Sequence, residues 1–168
     1  MELIRPQERL LASYAEAIKE DELHRPHRIS SFTQPSEVFQ TSYNREHGIH
    51  LNPGRVRSTT LWLVEEDKFI GEVRIRHELV PLLLRHGGHI GYSIHHSEEG
   101  KGYGTKMLAM ALEFCRTEMQ FTRVLITCND TNIGSIRVIE KNGGILENKV
   151  VNNLDTGKVL TRRYWIDL

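Results

Sequence analysis

Apolar positions change their spacing several times along this chain, and each change marks an element. Over residues 6–23 they fall at Leu10, Leu11, Tyr14, Ala15 and Ile18, the stripe of an amphipathic helix beginning near Pro6. Residues 25–36 are polar and carry Pro26 and Pro35, so they read as a loop. A second helix is expected over 35–46, with Val38, Phe39 and Tyr43 as its apolar side. Asn52-Pro53-Gly54 is turn chemistry. The period then falls to two. Residues 59–65 (TTLWLVE) and 68–77 (KFIGEVRIRH) flank Glu66-Asp67 as a hairpin. In its second strand Phe69, Val73 and Ile75 share one face, and Glu72, Arg74 and Arg76 the other. Within 78–85, LVPLLL is a short helical turn or loop, with a partner surface as the other reading.

Gly87-Gly88 leads into a strand over 89–94 (HIGYSI). The helix expected over 103–119 has Met107, Leu108, Ala111, Leu112 and Cys115 on its apolar face, widened by Met110 and Phe114, as suits a helix lying on a sheet. Residues 121–128 (FTRVLITC) are almost continuously apolar, the pattern of a strand covered on both faces. Strand, helix and strand form a βαβ unit with a right-handed crossover. Asn129, Asp130, Thr131 and Asn132 offer N-caps to a helix over 133–141, which Asn142-Gly143-Gly144 closes. Two more strands, 145–151 and 158–166, are joined by 152–157 (NNLDTG).

Composition narrows the classes. A length of 168 residues suggests one domain, residues 1–168, with a substantial core. Lysine and arginine balance aspartate and glutamate at 22 each, so no overall field draws in nucleic acid or an anionic membrane. There is no apolar run of membrane-spanning length, and a first decade carrying Glu2, Arg5, Glu8 and Arg9 is no signal peptide. Cys115 and Cys128 lack CxxC spacing and read as core residues in a reducing, cytoplasmic setting. The nine histidines form no zincin-type pair, so no metal is expected.

Gly100, Gly102 and Gly104 stand at alternate positions between a strand and a helix. A helix start leaves N–H groups unpaired at its positive end, where a phosphate can bind, and glycines let it approach. The P-loop pattern is absent. The dinucleotide fingerprint also fails, because its last glycine would fall at Thr105 or Met107.

EGKGYGT instead resembles the pyrophosphate loop of the GCN5-related N-acetyltransferase (GNAT) superfamily, and CNDTNIGSIRVIEKNGG (residues 128–144) is similar to its second motif. HIGYSI and the closing RRYWI resemble its "predicted acetyltransferase" branch. The resemblance implies an α/β (α+β) fold, with a mixed central sheet of about six to seven strands splayed at an acyl-CoA cleft and about four flanking helices. It implies an N-acetyltransferase using acetyl-CoA as co-substrate, with direct attack by a primary amine in a ternary complex. Backbone groups of Ile94, His95 and His96 would pair with the pantetheine arm. Glu99, Gly100, Lys101, Gly102, Tyr103, Gly104 and Thr105 would form the pyrophosphate loop, with Lys101 screening charge. Asn129, Asn132 and Ser135 would line the opposite wall.

Two departures stand out. Glu99 occupies a position where relatives have Arg or Gln, so its side chain should face solvent. Ile139 stands where many relatives place a tyrosine acid, leaving Ser135 as the candidate or as a helix-start residue bonding only backbone. His89 is the candidate base because an unperturbed imidazole titrates near 6.5; Glu72 and Glu78 are the alternatives. The Ile94 N–H is placed to polarise the thioester carbonyl. The acceptor is a small-molecule or peptide amine, with homodimerisation left open. Arg74, Arg76 and His77 either select an acidic acceptor or are solvated strand charges. The other function class is a non-catalytic acyl-CoA-binding or sensing module.

Overall fold

The hairpin forms the spine of the first sheet. In the computed structural model, which describes residues 1–25, 32–154 and 157–168, β2 is Ser58–Glu65 and β3 is Lys68–Arg76. A short edge strand β1, Glu2–Ile4, pairs with β2, and β4, Ile90–Ile94, pairs with β3; all contacts are antiparallel. Three residues carry too little pattern for β1 to be read from sequence. The order is β1-β2-β3-β4.

A bulge corrects the expected face of β3. Leu63 pairs with Gly71 but Val64 pairs with Phe69, so Ile70 is the extra residue. Phe69 is therefore turned from Val73 and Ile75 and packs with Trp62, Val64, Leu10, Tyr14 and Val38. Ile70 takes its place beside Val73 and Ile75. The sheet thus separates two cores, one under the N-terminal helices and one under the long central helix.

The N-terminal helix α1, Leu11–His24, follows one tight turn at Glu8–Leu10 and buries Tyr14, Ala17 and Ile18. Tyr14 stacks on Trp62 at 4.4 Å and donates to the Thr33 carbonyl at 2.6 Å. Helix α2, Val38–His47, buries Val38 and ends at Gly48 in the left-handed region. Phe39 and Tyr43, read as its apolar side, are exposed. Much of the loop expected over 25–36 lies outside the described residues, as do positions 155 and 156. The short α3 is Pro81–Arg85.

Helix α4, Tyr103–Thr117, lays Met107, Leu108, Ala111, Leu112 and Cys115 on the second core as expected. The second sheet holds β5, Arg123–Asn129, β6, Ile145–Leu154, and β7, Gly157–Asp167, in the order β5-β7-β6. Its last hairpin is tighter than expected, because pairing continues to Leu154 opposite Gly157. Helix α5, Ile133–Lys141, has the expected bounds. Tyr164 of β7 ties it down by donating to Glu140 at 2.9 Å. The α/β class and the strand number are as expected, although the strands lie in two antiparallel sheets rather than one splayed sheet. No helix among the described residues is long and apolar enough to cross a membrane.

Candidate active site

The two sheets are fastened most closely where β4 begins. The His89 N–H donates to the Leu125 carbonyl at 2.7 Å, and the Leu125 N–H donates to His89 Nδ1 at 2.9 Å. Gly88 lets the strands come this close, since a Cβ there would lie 2.4 Å from the Leu125 oxygen. Beyond the fastener β4 and β5 share no ladder, and a cleft opens.

His89 is accordingly a seam residue. Its ring packs near Phe121 and Trp165, and burial, helped by Arg76, lowers its pKa to about 4. An imidazole accepting an amide hydrogen on Nδ1 must leave that nitrogen unprotonated. His89 lines neither cleft described below. Glu78 is exposed and also lines neither.

The first cleft, about 710 Å³, lies between β4, β5, α4 and α5. Gly100 and Gly102 have φ of 77° and 83°, and a Cβ on either would project into open space. Conformation, then, demands these glycines. No side chain caps α4; the Lys106 N–H bonds the Gly102 carbonyl at 3.3 Å. By helix geometry the N–H groups of Tyr103, Gly104 and Thr105 lack intrahelical partners. Gly104 answers a packing need, with Val138 Cγ2 only 3.3 Å from its would-be Cβ.

The loop's side chains turn elsewhere. Lys101 and Lys68 grip the buried Glu98 at 3.1 and 2.6 Å, so Lys101 braces the loop from behind. The Tyr103 hydroxyl donates to Glu65 at 2.8 Å. Glu99 lines the cleft, half-exposed, and pairs with Arg25 at 2.8 Å rather than facing solvent alone.

Opposite the loop stand Asn129, Asn132, Ser135 and Arg137. Asn132 Oδ1 caps α5 by accepting from the Ser135 N–H at 3.0 Å, which leaves its amide nitrogen for the cleft. Ile139 is fully buried in the core, so no acid stands there. A tyrosine does reach the cleft, from β4. The Tyr92 hydroxyl is buried and lies near the Ser135 hydroxyl. Burial raises its pKa to about 12, even though the Ser135 hydroxyl lowers it.

The backbone of β4 corrects the pantetheine expectation. The His95 N–H is spent on the Ile70 carbonyl at 3.2 Å, and the His96 N–H on Asp21 at 2.8 Å. The His89 carbonyl accepts from Arg76 at 2.8 Å. Bonded residues alternate with outward-turned ones in an antiparallel ladder. Tyr92 and Ile94 therefore present N–H and C=O to the gap; the two histidines do not.

The second cleft, about 520 Å³, opens on the other face of the first sheet and shares Tyr92 and Ser93 with the first. Glu72 sits on its floor opposite Ser93, only 5% exposed. It accepts from Trp62 Nε1 at 3.4 Å and pairs with Arg74 at 3.0 Å. Burial nevertheless raises its pKa, with Arg74 opposing. His77 turns away to Thr59 Oγ1 at 2.9 Å. Tyr92, Ser93, Arg45 and Arg137 escaped the sequence reading: the first two lie in HIGYSI and Arg137 in the second motif, but neither pattern marks them as site positions, and Arg45 lies outside both. A lone tyrosine on a half-buried strand carries no local signal of the gap beside it.

Comparison with known proteins agrees with this geometry. The family model for the acetyltransferase (GNAT) domain matches residues 1–145. No curated protein sequence matches the chain. Among solved structures it is similar to the ribosomal-protein-S5-alanine acetyltransferase of Vibrio fischeri, with TM-score 0.71 and 16% identity over 98% of this chain and 91% of that one. It is similar to Mycobacterium smegmatis RimJ in complex with a CoA-disulfide, with TM-score 0.74 and 19% identity over 98% and 80%. A variant of spermidine N-acetyltransferase SpeG from Vibrio cholerae gives TM-score 0.64 and 18% identity over 99% and 95%.

Proposed function

This chain belongs to the GNAT acetyltransferase family, and we propose that it moves an acetyl group from acetyl-CoA to a primary amine by direct attack in a ternary complex. The observation that carries this reading is that two clefts on opposite faces of one sheet meet at Tyr92 and Ser93. The co-substrate fits the first: Gly100 and Gly102 leave open space before an uncapped helix start. There the N–H groups of residues 103–105 and the Thr105 hydroxyl hold the pyrophosphate. Backbone groups of Tyr92 and Ile94 hold one side of the pantetheine arm, and Asn129 and Asn132 the other. Bound acetyl-CoA supplies an activated acyl carbon.

Glu72 takes the proton of the acceptor amine. Its raised pKa suits this role, since a desolvated carboxylate is a stronger base than one in water. The Ile94 N–H supports the carbonyl oxygen as negative charge develops. As the amine nitrogen bonds to the acyl carbon the C–S bond breaks, and Ser135 and Tyr92 donate hydrogen bonds to the leaving sulfur. A phenol with pKa about 12 is too weak an acid to give up its proton outright to a thiolate. Its buried hydroxyl supports catalysis over a purely sensing module, because it supplies a donor where Ile139 cannot.

The test combines ligand-dependent melting with thiol release across an amine panel. Acetyl-CoA should raise the melting temperature more than adenosine does, because binding to the folded state stabilises it. No shift at about millimolar acetyl-CoA would overturn the reading.

A further inference from the structure

The acceptor-side cleft is lined by Arg45 of α2 and Arg74 and Arg76 of β3, against Glu37 and the buried Glu72. Among the described residues, Arg74 alone of the three pairs with a carboxylate, Glu72. Arg45 reaches Thr33 Oγ1 at 3.2 Å, and Arg76 donates to the Gly87 and Gly88 carbonyls at 3.0 and 2.9 Å. Arg74 Nε is buried with no hydrogen-bond partner. The adjoining groove adds Arg55 to the same three arginines and contains no acidic residue. Residues 26–31, just before the cleft-lining Phe32, contain Arg28 and no Asp or Glu.

Arg45 and Arg76 thus have no paired carboxylate among the described residues, and Glu72 answers Arg74 alone. Burial, then Arg74 and Arg55, pull the Arg76 pKa to about 10; burial and Arg74 lower that of Arg45. An anion relieves such a cluster, whereas a second cation aggravates it. We infer that the acceptor carries an anionic group, carboxylate or phosphate, a few bonds from the amine it presents to Glu72. This rests on the acetyl transfer proposed above.

The strand supplies the ruler. Glu72, Arg74 and Arg76 occupy alternate positions of β3, each step about 7 Å along the sheet. Glu72 stands opposite Ser93 and Arg74 opposite Gly91. Gly91 has no side chain, and an Arg76 guanidinium nitrogen lies 3.9 Å from where its Cβ would be. An anion over Gly91 therefore meets two guanidiniums while the amine lies at Ser93. A polyamine would set its next ammonium in the same place, and like charge there rejects it.

The experiment measures thiol release at saturating acetyl-CoA with O-phosphoethanolamine, an alanyl-aspartate dipeptide, ethanolamine and spermidine. At least one anionic acceptor should exceed ethanolamine by about tenfold or more in kcat/KM, mainly through KM. Which of the two leads distinguishes phosphate from carboxylate. Arg45→Gln and Arg76→Gln should each shrink the anionic-to-neutral ratio by about three- to tenfold. Arg116→Gln, a surface arginine paired with Glu113, should leave the ratio unchanged. Equal or better use of ethanolamine or spermidine overturns the inference.

Binding is read separately, by calorimetry of each acceptor on CoA-saturated protein. Anion-dependent binding without turnover would sink the acetyl-transfer reading and keep the charge selection. Turnover of all four alike would do the reverse.

Discussion

The two clefts that meet at Tyr92 and Ser93 are made of different materials. On the α4 side the working groups are mainly backbone: unpaired N–H groups at a helix start, outward-turned amides of β4, and glycines at φ of 77° and 83°. On the acceptor side they are side chains from α2 and β3: Arg45, Glu72, Arg74 and Arg76. A backbone site recognises what every acetyl-CoA molecule shares. A side-chain site can be rewritten by single substitutions, so on the proposed assignment acceptor identity is the more adaptable half.

The largest expected effect breaks the backbone half. Gly102→Val should weaken acetyl-CoA binding by about 100-fold or more, since a β-branched residue at positive φ is strained and its side chain enters the cleft. Calorimetric titration reads this directly; normal affinity would place the phosphate site elsewhere.

Next is the side-chain half. Glu72→Gln should cut kcat by about 100-fold or more while acetyl-CoA affinity holds. The acid limb of the wild-type profile should rise above the ordinary carboxylate range, because burial raises the Glu72 pKa. The variant should lose that limb. An unaltered limb would exclude Glu72 as the base.

Smaller effects test the junction. Tyr92→Phe and Ser135→Ala should each lower kcat by about tenfold, the scale of a lost hydrogen bond of about 1.4 kcal/mol, with binding retained. If only one matters, the leaving sulfur meets that hydroxyl alone.

His89 contributes through stability. Its folded pKa, about 4, lies below the unfolded value of 6.5. The folded state therefore binds fewer protons between these values, and its stability is full above about pH 6.5 and falls as pH drops toward 4. Melting temperatures across that window should fall less in His89→Gln than in the wild type, after a lower starting value from the broken seam. Equal slopes would show that other groups set the acid limit.

Glu99→Gln should change acetyl-CoA affinity least. It removes a negative charge from the cleft but also a half-exposed pair with Arg25, each worth about 1 kcal/mol or less.

The glycine loop, α5 and its cap were legible because each is written in a few adjacent residues whose conformational demands are local. Gly102 starts a helix and Asn132 caps one wherever they lie in the fold. The hairpin was legible too, but the side Phe69 takes was not. That follows from the bulge at Ile70, which depends on how β2 and β3 register over two cores. His89 drew attention for an intrinsic pKa suited to catalysis. Tertiary structure decided otherwise by burying it and giving its Nδ1 to Leu125. The acceptor cleft shows the same division. Sequence alone put Glu72, Arg74 and Arg76 on one face of a strand, because side chains alternate. Only the packed structure added Arg45 from α2, removed His77 to Thr59, and opened Tyr92 to both clefts. Charge and burial act through space, and these neighbours lie far apart along the chain.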